Sequence, residues 1–185
     1  MKRKNKILLV ANSTWNFYNF RMNIIDALID REDEVVLVSP VDEFLAPLLE
    51  VKQVRHIPLK NLYRKGVNPV QEVKLYNELK EIYRNELPEL IIHFTIKPNI
   101  YGNLAAKSLD IKSICVVTGL GYVFLHDTFY NSFAKRMYQY SFKKADLIIF
   151  ENEDDRNLFI EKNISTAEKS LSVKGCGVNL DYYKP

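Results

Sequence analysis

A parallel α/β sheet with helices on both faces is the fold class this sequence predicts, and three observations predict it. Short apolar runs recur along the chain without polar alternation, as expected of strands buried on both faces. Amphipathic stretches with helical spacing separate them. Strand and helix then alternate to the end, the pattern of parallel strands joined by right-handed crossovers. A Rossmann-like strand order follows, with ligands at the carboxyl ends of the strands. The length of 185 residues, with 47% hydrophobic and 26% charged content, suits one domain with a sizeable core.

The first strand is the run from Lys6 to Ala11. A polar and aromatic loop, 12–19, follows it, then a helix whose inward face is Phe20, Ile24, Ala27 and Leu28 at i, i+4, i+7 and i+8. Glu34 to Ser39 is the second strand, stopped by Pro40, and Asp42 to Leu49 is a short helix. Gln53 to Ile57 is partly polar, as expected near a sheet edge. A basic loop, 59–69, leads to a helix facing inward through Leu75, Leu79, Ile82 and Tyr83 and closed by Pro88. Leu90 to Thr95 is the fourth strand. The helix from Ile100 to Ser108 carries Gly102, Ala105 and Ala106 for close packing on the sheet. Ser113 to Thr118 is the fifth strand, and it runs into the glycine-bearing stretch 118–124. An aromatic helix, 129–143, faces inward through Tyr130, Ala134, Met137, Tyr138 and Phe142. Asp146 to Phe150, a helix from Asn152 to Lys162, and Leu171 to Lys174 complete the alternation. The loops 12–19, 95–99, 118–122 and 150–153 then share one rim.

A net charge of +3 is too small to argue for nucleic acid, although Lys135, Arg136, Lys143 and Lys144 crowd one helix. The two cysteines, Cys115 and Cys176, fit a reduced, cytoplasmic protein. No apolar run is long enough to span a bilayer, so membrane contact is expected to be peripheral. Phosphate-binding P-loop, serine-elbow and zinc-protease motifs are absent, as is the paired-aspartate motif of metal-dependent nucleotide-sugar enzymes. His56, His93 and His126 lack metal-ligand spacing, so no metal or other cofactor is expected. His93 reads as a core histidine; His126, beside Asp127 after the glycines, is the candidate for acid–base work. Gly119 and Gly121 let a ligand approach the backbone, but the third glycine of a dinucleotide fingerprint is missing.

Several segments together resemble family 4 retaining glycosyltransferases of the GT-B fold. They are the first strand followed by residues 15–21, then Glu34 to Pro40, Arg64 to Pro69, His93 to Gly102, and Val117 to Phe124. The last three are similar to the subgroup that builds bacterial capsule, O-antigen and other glycans on a polyprenyl-diphosphate carrier. Residues 174–185 resemble the hinge between the two GT-B domains. The resemblance covers almost the whole chain. It implies half of a GT-B fold: an acceptor-binding domain over residues 1–174, the start of a hinge at 175–185, and a donor-binding domain that this chain does not include.

The resemblance also implies partners and site residues. The partners are a nucleotide-sugar donor, held through the other domain, and a polyprenyl-diphosphate-linked acceptor. The nucleotide sugar is a substrate, not a cofactor. Lys97 and the pair Arg64 and Lys65 are placed to meet the acceptor diphosphate. Asn99, at a helix start, would hold phosphate or sugar hydroxyls, or serve as a cap. Arg21 would face the interdomain cleft, or pair with an acidic neighbour such as Asp26. Trp15, with Phe17 and Tyr18, would stack on a sugar, line a lipid path, or pack over the rim. Asn12 and Asn19 of the first loop, with Thr118, Gly119 and Gly121, complete the substrate-binding candidates.

Two departures from the family pattern are visible. Asn12, Ser13 and Thr14 stand where many members carry a glycine pair, and Gly119 to Gly121 stand where many carry a histidine. The aromatic and basic helix 129–143 can lie on anionic lipid, which implies a place on the inner face of the cell membrane. The whole reading is a retaining sugar transferase whose isolated 1–185 portion is inactive. A GT-B-fold nucleotide-sugar epimerase and a non-catalytic, membrane-recruited binding domain are its alternatives.

Overall fold

The computed structural model describes residues 4–63, 68–119 and 129–177, with backbone alone for 51 and 129–134. A seven-stranded sheet runs β3-β2-β1-β4-β5-β6-β7, and every neighbouring pair is parallel. The strands are β1 (Lys6–Val10), β2 (Glu34–Ser39), β3 (Arg55–Pro58), β4 (Leu90–Phe94), β5 (Lys112–Val117), β6 (Leu147–Phe150) and β7 (Ser170–Ser172). This is the Rossmann-like order expected from the alternation. The partly polar β3 lies at one edge.

Alternate residues of each strand serve opposite faces, because the side-chain period is two. Leu8, Val10, Val36, Val38 and Ile91 pack with Leu75, Leu79 and Tyr83 of α4 (Pro69–Glu86) and with Ala105 and Ala106 of α5 (Asn103–Lys107). On the other face Leu9, Leu37 and Phe94 pack with Phe17 of α1 (Thr14–Phe20), Ile25 and Leu28 of α2 (Met22–Asp30), and Leu48 of α3 (Leu45–Val51). Beyond β5, Cys115, Ile148 and Phe150 meet Tyr138 and Phe142 of α6 (Phe129–Phe142) and Phe159 of α7 (Glu153–Glu161). Tyr138 and Phe142 thus take the inward places expected of them. Both cysteines are free, Cys115 buried and Cys176 half-buried.

The first helical segment differs from expectation. Helix begins at Thr14, inside the stretch read as a loop, because the Ser13 hydroxyl accepts the Asn16 N–H at 3.2 Å and caps it. The helix breaks at Arg21 (φ −124°, ψ 5°) and resumes as α2. The break rotates the inward face: Phe17, Arg21, Ile25 and Leu28 are buried, whereas Phe20 and Ala27 are exposed. The second difference lies after β4. Helical backbone starts at Ile96, ahead of the expected Ile100, and passes through a π-helical turn at Pro98–Gly102 before α5. Pro98 sits in the first turn, where its missing N–H costs no ladder bond; the ladder starts with the Asn99 N–H on the Thr95 carbonyl.

That turn sets Gly102 against the sheet. A Cβ on Gly102 would lie 2.5 Å from His93 Cδ2 and 2.9 Å from the Tyr83 hydroxyl, so only glycine fits. His93 Nε2 and the Tyr83 hydroxyl are hydrogen-bonded at 3.0 Å, and both residues are fully buried. His93 is therefore the core histidine that the sequence suggests. Its burial pushes its pKa down to about 3, against the opposing effect of a backbone hydrogen bond involving Ile114. The unfolded chain takes up a proton near pH 6.5 and the folded chain does not. This contribution is whole above about pH 6.5 and is lost progressively as pH falls from there toward about 3. Urea titrations at pH 7 and pH 4.5 should show His93→Gln losing less stability on acidification than the wild type; an equal loss would refute the assignment.

Candidate functional site

Strand order makes the site. The connection after β1 departs toward β2, and the connection after β4 departs toward β5, so a crevice opens between them at the carboxyl ends. A cleft of about 280 Å³ occupies this switch point, lined by Asn12, Leu62, Thr95, Ile96, Lys97, Thr118 and Gly119. Asn12 follows β1, Thr95 to Lys97 follow β4, and Thr118 and Gly119 follow β5. Leu62 comes from the loop after β3, which Glu78 of α4 clamps by accepting the N–H groups of Lys60 at 2.8 Å and Asn61 at 2.9 Å.

The backbone is unusual at two of these positions. Thr95 has φ +71°, a left-handed conformation that a β-branched residue rarely takes. Its carbonyl accepts the Asn99 N–H at 3.0 Å, which starts the helical turn. Gly119 has φ +141°, where an L side chain would be strained, and among the described residues nothing lies within 4 Å of a Cβ placed there. The glycine therefore serves backbone shape, and no described residue fills the space beside it.

Lys97 lines the cleft, but its Nζ donates to Glu72 Oε1 at 2.7 Å, with side-chain exposures of 16% for Lys97 and 7% for Glu72. The sequence suggests a cation awaiting a diphosphate; the structure shows one already paired to a buried carboxylate of α4. Tyr101 lies beside the same carboxylate. Burial, then the Glu72 charge, push its hydroxyl pKa well above the ordinary value.

Asn99 does not cap the helical turn. It is fully buried, its Nδ2 donates to the Val116 carbonyl at 2.9 Å, and its own carbonyl accepts the Ser141 hydroxyl at 2.9 Å. It ties the π-helical turn to β5 and α6 behind the cleft wall. Asp42 closes the N-terminus of α1. Its carboxylate accepts the Thr14 hydroxyl, the Trp15 N–H at 3.0 Å and the Phe44 N–H at 3.0 Å. Burial alone would raise the Asp42 pKa, but these bonds outweigh it and hold the carboxyl below its usual range. Trp15, 39% exposed, meets Phe20 edge to face at 5.0 Å, and the Asn19 side chain donates to the Trp15 carbonyl at 3.0 Å. None of these residues lines the cleft.

Arg21 is buried at the break between α1 and α2. Its Nη1 donates to Glu151 Oε1 at 2.7 Å and its guanidinium lies 4.7 Å from the Phe94 ring centroid. The partner is thus Glu151, at the end of β6, and not Asp26, which pairs with Lys52. Glu151 also joins the rim through its backbone, donating to the Val117 carbonyl at 3.2 Å and accepting the Gly175 N–H at 2.9 Å.

Of the candidates drawn from sequence, Asn12, Lys97, Thr118 and Gly119 come together in the cleft. Arg64, Lys65, Gly121 and His126 lie outside the described residues. The sequence does not single out Leu62, Thr95, Ile96, Glu72 or Glu151. Only Thr95 carried a local signal, as a polar residue ending an apolar strand. Among the described residues no group of three or more His, Cys, Asp or Glu is placed to hold a metal ion.

The family model described as Glycosyl transferase 4-like matches residues 6–152. This chain belongs to that family. It is 31% identical over 193 residues to the N,N'-diacetylbacillosaminyl-diphospho-undecaprenol alpha-1,3-N-acetylgalactosaminyltransferase of Campylobacter jejuni, across 97% of this chain and 48% of the relative. The chain thus spans about half the length of that curated relative. Among solved structures it is similar to a glycosyltransferase from Rickettsia africae, with TM-score 0.70, 19% identity, and coverage of 99% of this chain and 46% of that one. It is also similar to a UDP-GlcNAc 2-epimerase from Methanocaldococcus jannaschii, with TM-score 0.66, 15% identity, and coverage of 91% and 45%. These two structural likenesses establish the fold: a Rossmann-like unit corresponding to about half of a GT-B chain.

The Arg21 pair is testable. Glu151→Ala leaves a buried guanidinium uncompensated and should cost about 3–5 kcal/mol. Arg21→Met combined with Glu151→Gln should cost less than Glu151→Ala alone, as read by urea denaturation. If Arg21→Met combined with Glu151→Gln cost as much as Glu151→Ala or more, the stranded-charge reading would fail.

Proposed function

We propose that this chain is the acceptor-binding part of a retaining glycosyltransferase. The enzyme moves a sugar from a nucleotide-sugar donor to a polyprenyl-diphosphate-linked sugar in bacterial surface polysaccharide synthesis. The observation that carries the reading is the polar-lined cleft at the switch point, in a family member whose curated relative acts on a diphospho-undecaprenol sugar. Asn12, Thr118 and the Lys97–Glu72 pair offer hydrogen-bonding groups at one concave place, beside the open backbone of Gly119. The chain spans about half of that curated relative, and this reading puts the nucleotide-sugar site in the other half, so residues 1–185 alone should not turn over.

The full-length protein carrying this chain should transfer label from a nucleotide-activated N-acetylhexosamine to an undecaprenyl-diphosphate-linked sugar. Thr118→Tyr, which fills the cleft, should raise the acceptor KM about tenfold or more, a loss of roughly 1.4 kcal/mol in binding. Conversion of the nucleotide sugar with no acceptor present would instead identify an epimerase.

The reading includes a peripheral place at the membrane. Among the described residues no helix is long and apolar enough to cross a bilayer. Arg136, Tyr140, Lys143 and Lys144 are exposed along and just after α6, with Lys144 over the Tyr140 ring at 4.7 Å. Cationic side chains beside an exposed aromatic suit an anionic headgroup layer. The protein should float with vesicles containing anionic phospholipid and lose flotation when Lys143 and Lys144 are changed to Glu; equal flotation with neutral vesicles would refute the electrostatic attachment.

A further inference from the structure

We propose that the switch-point cleft takes an uncharged sugar ring of the acceptor and not its diphosphate. The proposal rests on the acceptor-binding reading above and specifies which end of that acceptor the cleft holds. Among the described residues lining the cleft, Lys97 is the one charged side chain, and its ammonium is bonded to Glu72 at 2.7 Å. The pair is electrically neutral. Glu72 is 7% exposed, so water screens its charge weakly. A diphosphate entering here would compete with Glu72 for the same ammonium while two anionic groups approached each other. The neighbouring helix end gives no relief, because the Asp42 carboxylate already takes the Thr14 hydroxyl and the Trp15 N–H.

Uncharged hydroxyls meet none of these penalties. A lysine ammonium has three donors, and Glu72 takes one of them. The Asn12 amide and the Thr118 hydroxyl can each donate and accept, which matches a sugar hydroxyl that does both. Leu62 and Ile96 add apolar wall for the ring's carbon face, and Gly119 leaves room beside its backbone. About 280 Å³ falls just below the usual range of ligand clefts and suits one ring. Glu72 is then a specificity-determining residue: by neutralising Lys97 it turns a phosphate-binding lysine into a hydroxyl donor.

Methyl-group NMR of the full-length protein tests this, with Ile96 and Thr118 as reporters. The methyl glycoside of N-acetylglucosamine at millimolar concentration should shift both signals, and inorganic pyrophosphate at the same concentration should shift neither. In Glu72→Gln, pyrophosphate should shift both, and adding Lys97→Met should abolish that response. A purely structural Glu72 would change stability without changing this preference. The proposal is overturned if pyrophosphate shifts the wild-type signals and Lys97→Met removes the effect, or if the glycoside shifts neither. Either result would leave the acceptor reading to stand or fall on the transfer assay, which does not depend on which end occupies the cleft.

Discussion

The structure depends on one constraint: parallel strands cannot be joined by tight turns. Each strand must be followed by a crossover that returns the chain to the same edge of the sheet. With the order β3-β2-β1-β4-β5-β6-β7, crossovers on the two sides of β1 and β4 leave in opposite directions. The crevice between them is a consequence of topology, available before any side chain is chosen. Helices up to α3 pack one face and those from α4 onward pack the other, so both faces are covered and the strands can be apolar throughout.

On that frame, charge at the rim is managed by carboxylates brought from distant sequence. Glu72 meets Lys97 across 25 positions, Asp42 meets Thr14 across 28, and Glu151 meets Arg21 across 130. Each engages a group that sequence alone would leave available to an anionic ligand. The rim is therefore less electropositive than its lysine and arginine suggest. The hydrogen-bonding groups that line it, on Asn12, Thr95 and Thr118, are uncharged. The same pairings lock the loops together: Arg21 and Glu151 connect the α1–α2 break, the end of β4 and the segment leaving β7.

Most of the architecture was legible because burial on both faces writes continuous apolar runs, and helices packed on a sheet write a single apolar stripe. The strands fall within a residue or two of their expected ends, and Leu75, Leu79, Tyr83, Tyr138 and Phe142 face inward as their spacing implies. The first helix departs from its sequence pattern for a physical reason. Asparagines and aromatics between 15 and 20 have modest helix propensity, and the Ser13 cap that starts the helix is a single hydrogen bond. The break at Arg21 then moved the apolar face by one position, which no periodicity count detects.

The sequence by itself determined the fold class, the strands in chain order, and the family, because these follow from local patterning and recurring motifs. It also placed Asn12, Lys97, Thr118 and Gly119 on one rim, since each follows a parallel strand. Tertiary structure alone decided what those residues can do. It buried Asn99 behind the wall, turned Thr95 into a left-handed conformation, and set Glu72 against Lys97. Electrostatic pairing depends on distance in space, and no spacing rule links a carboxylate on α4 to an ammonium after β4.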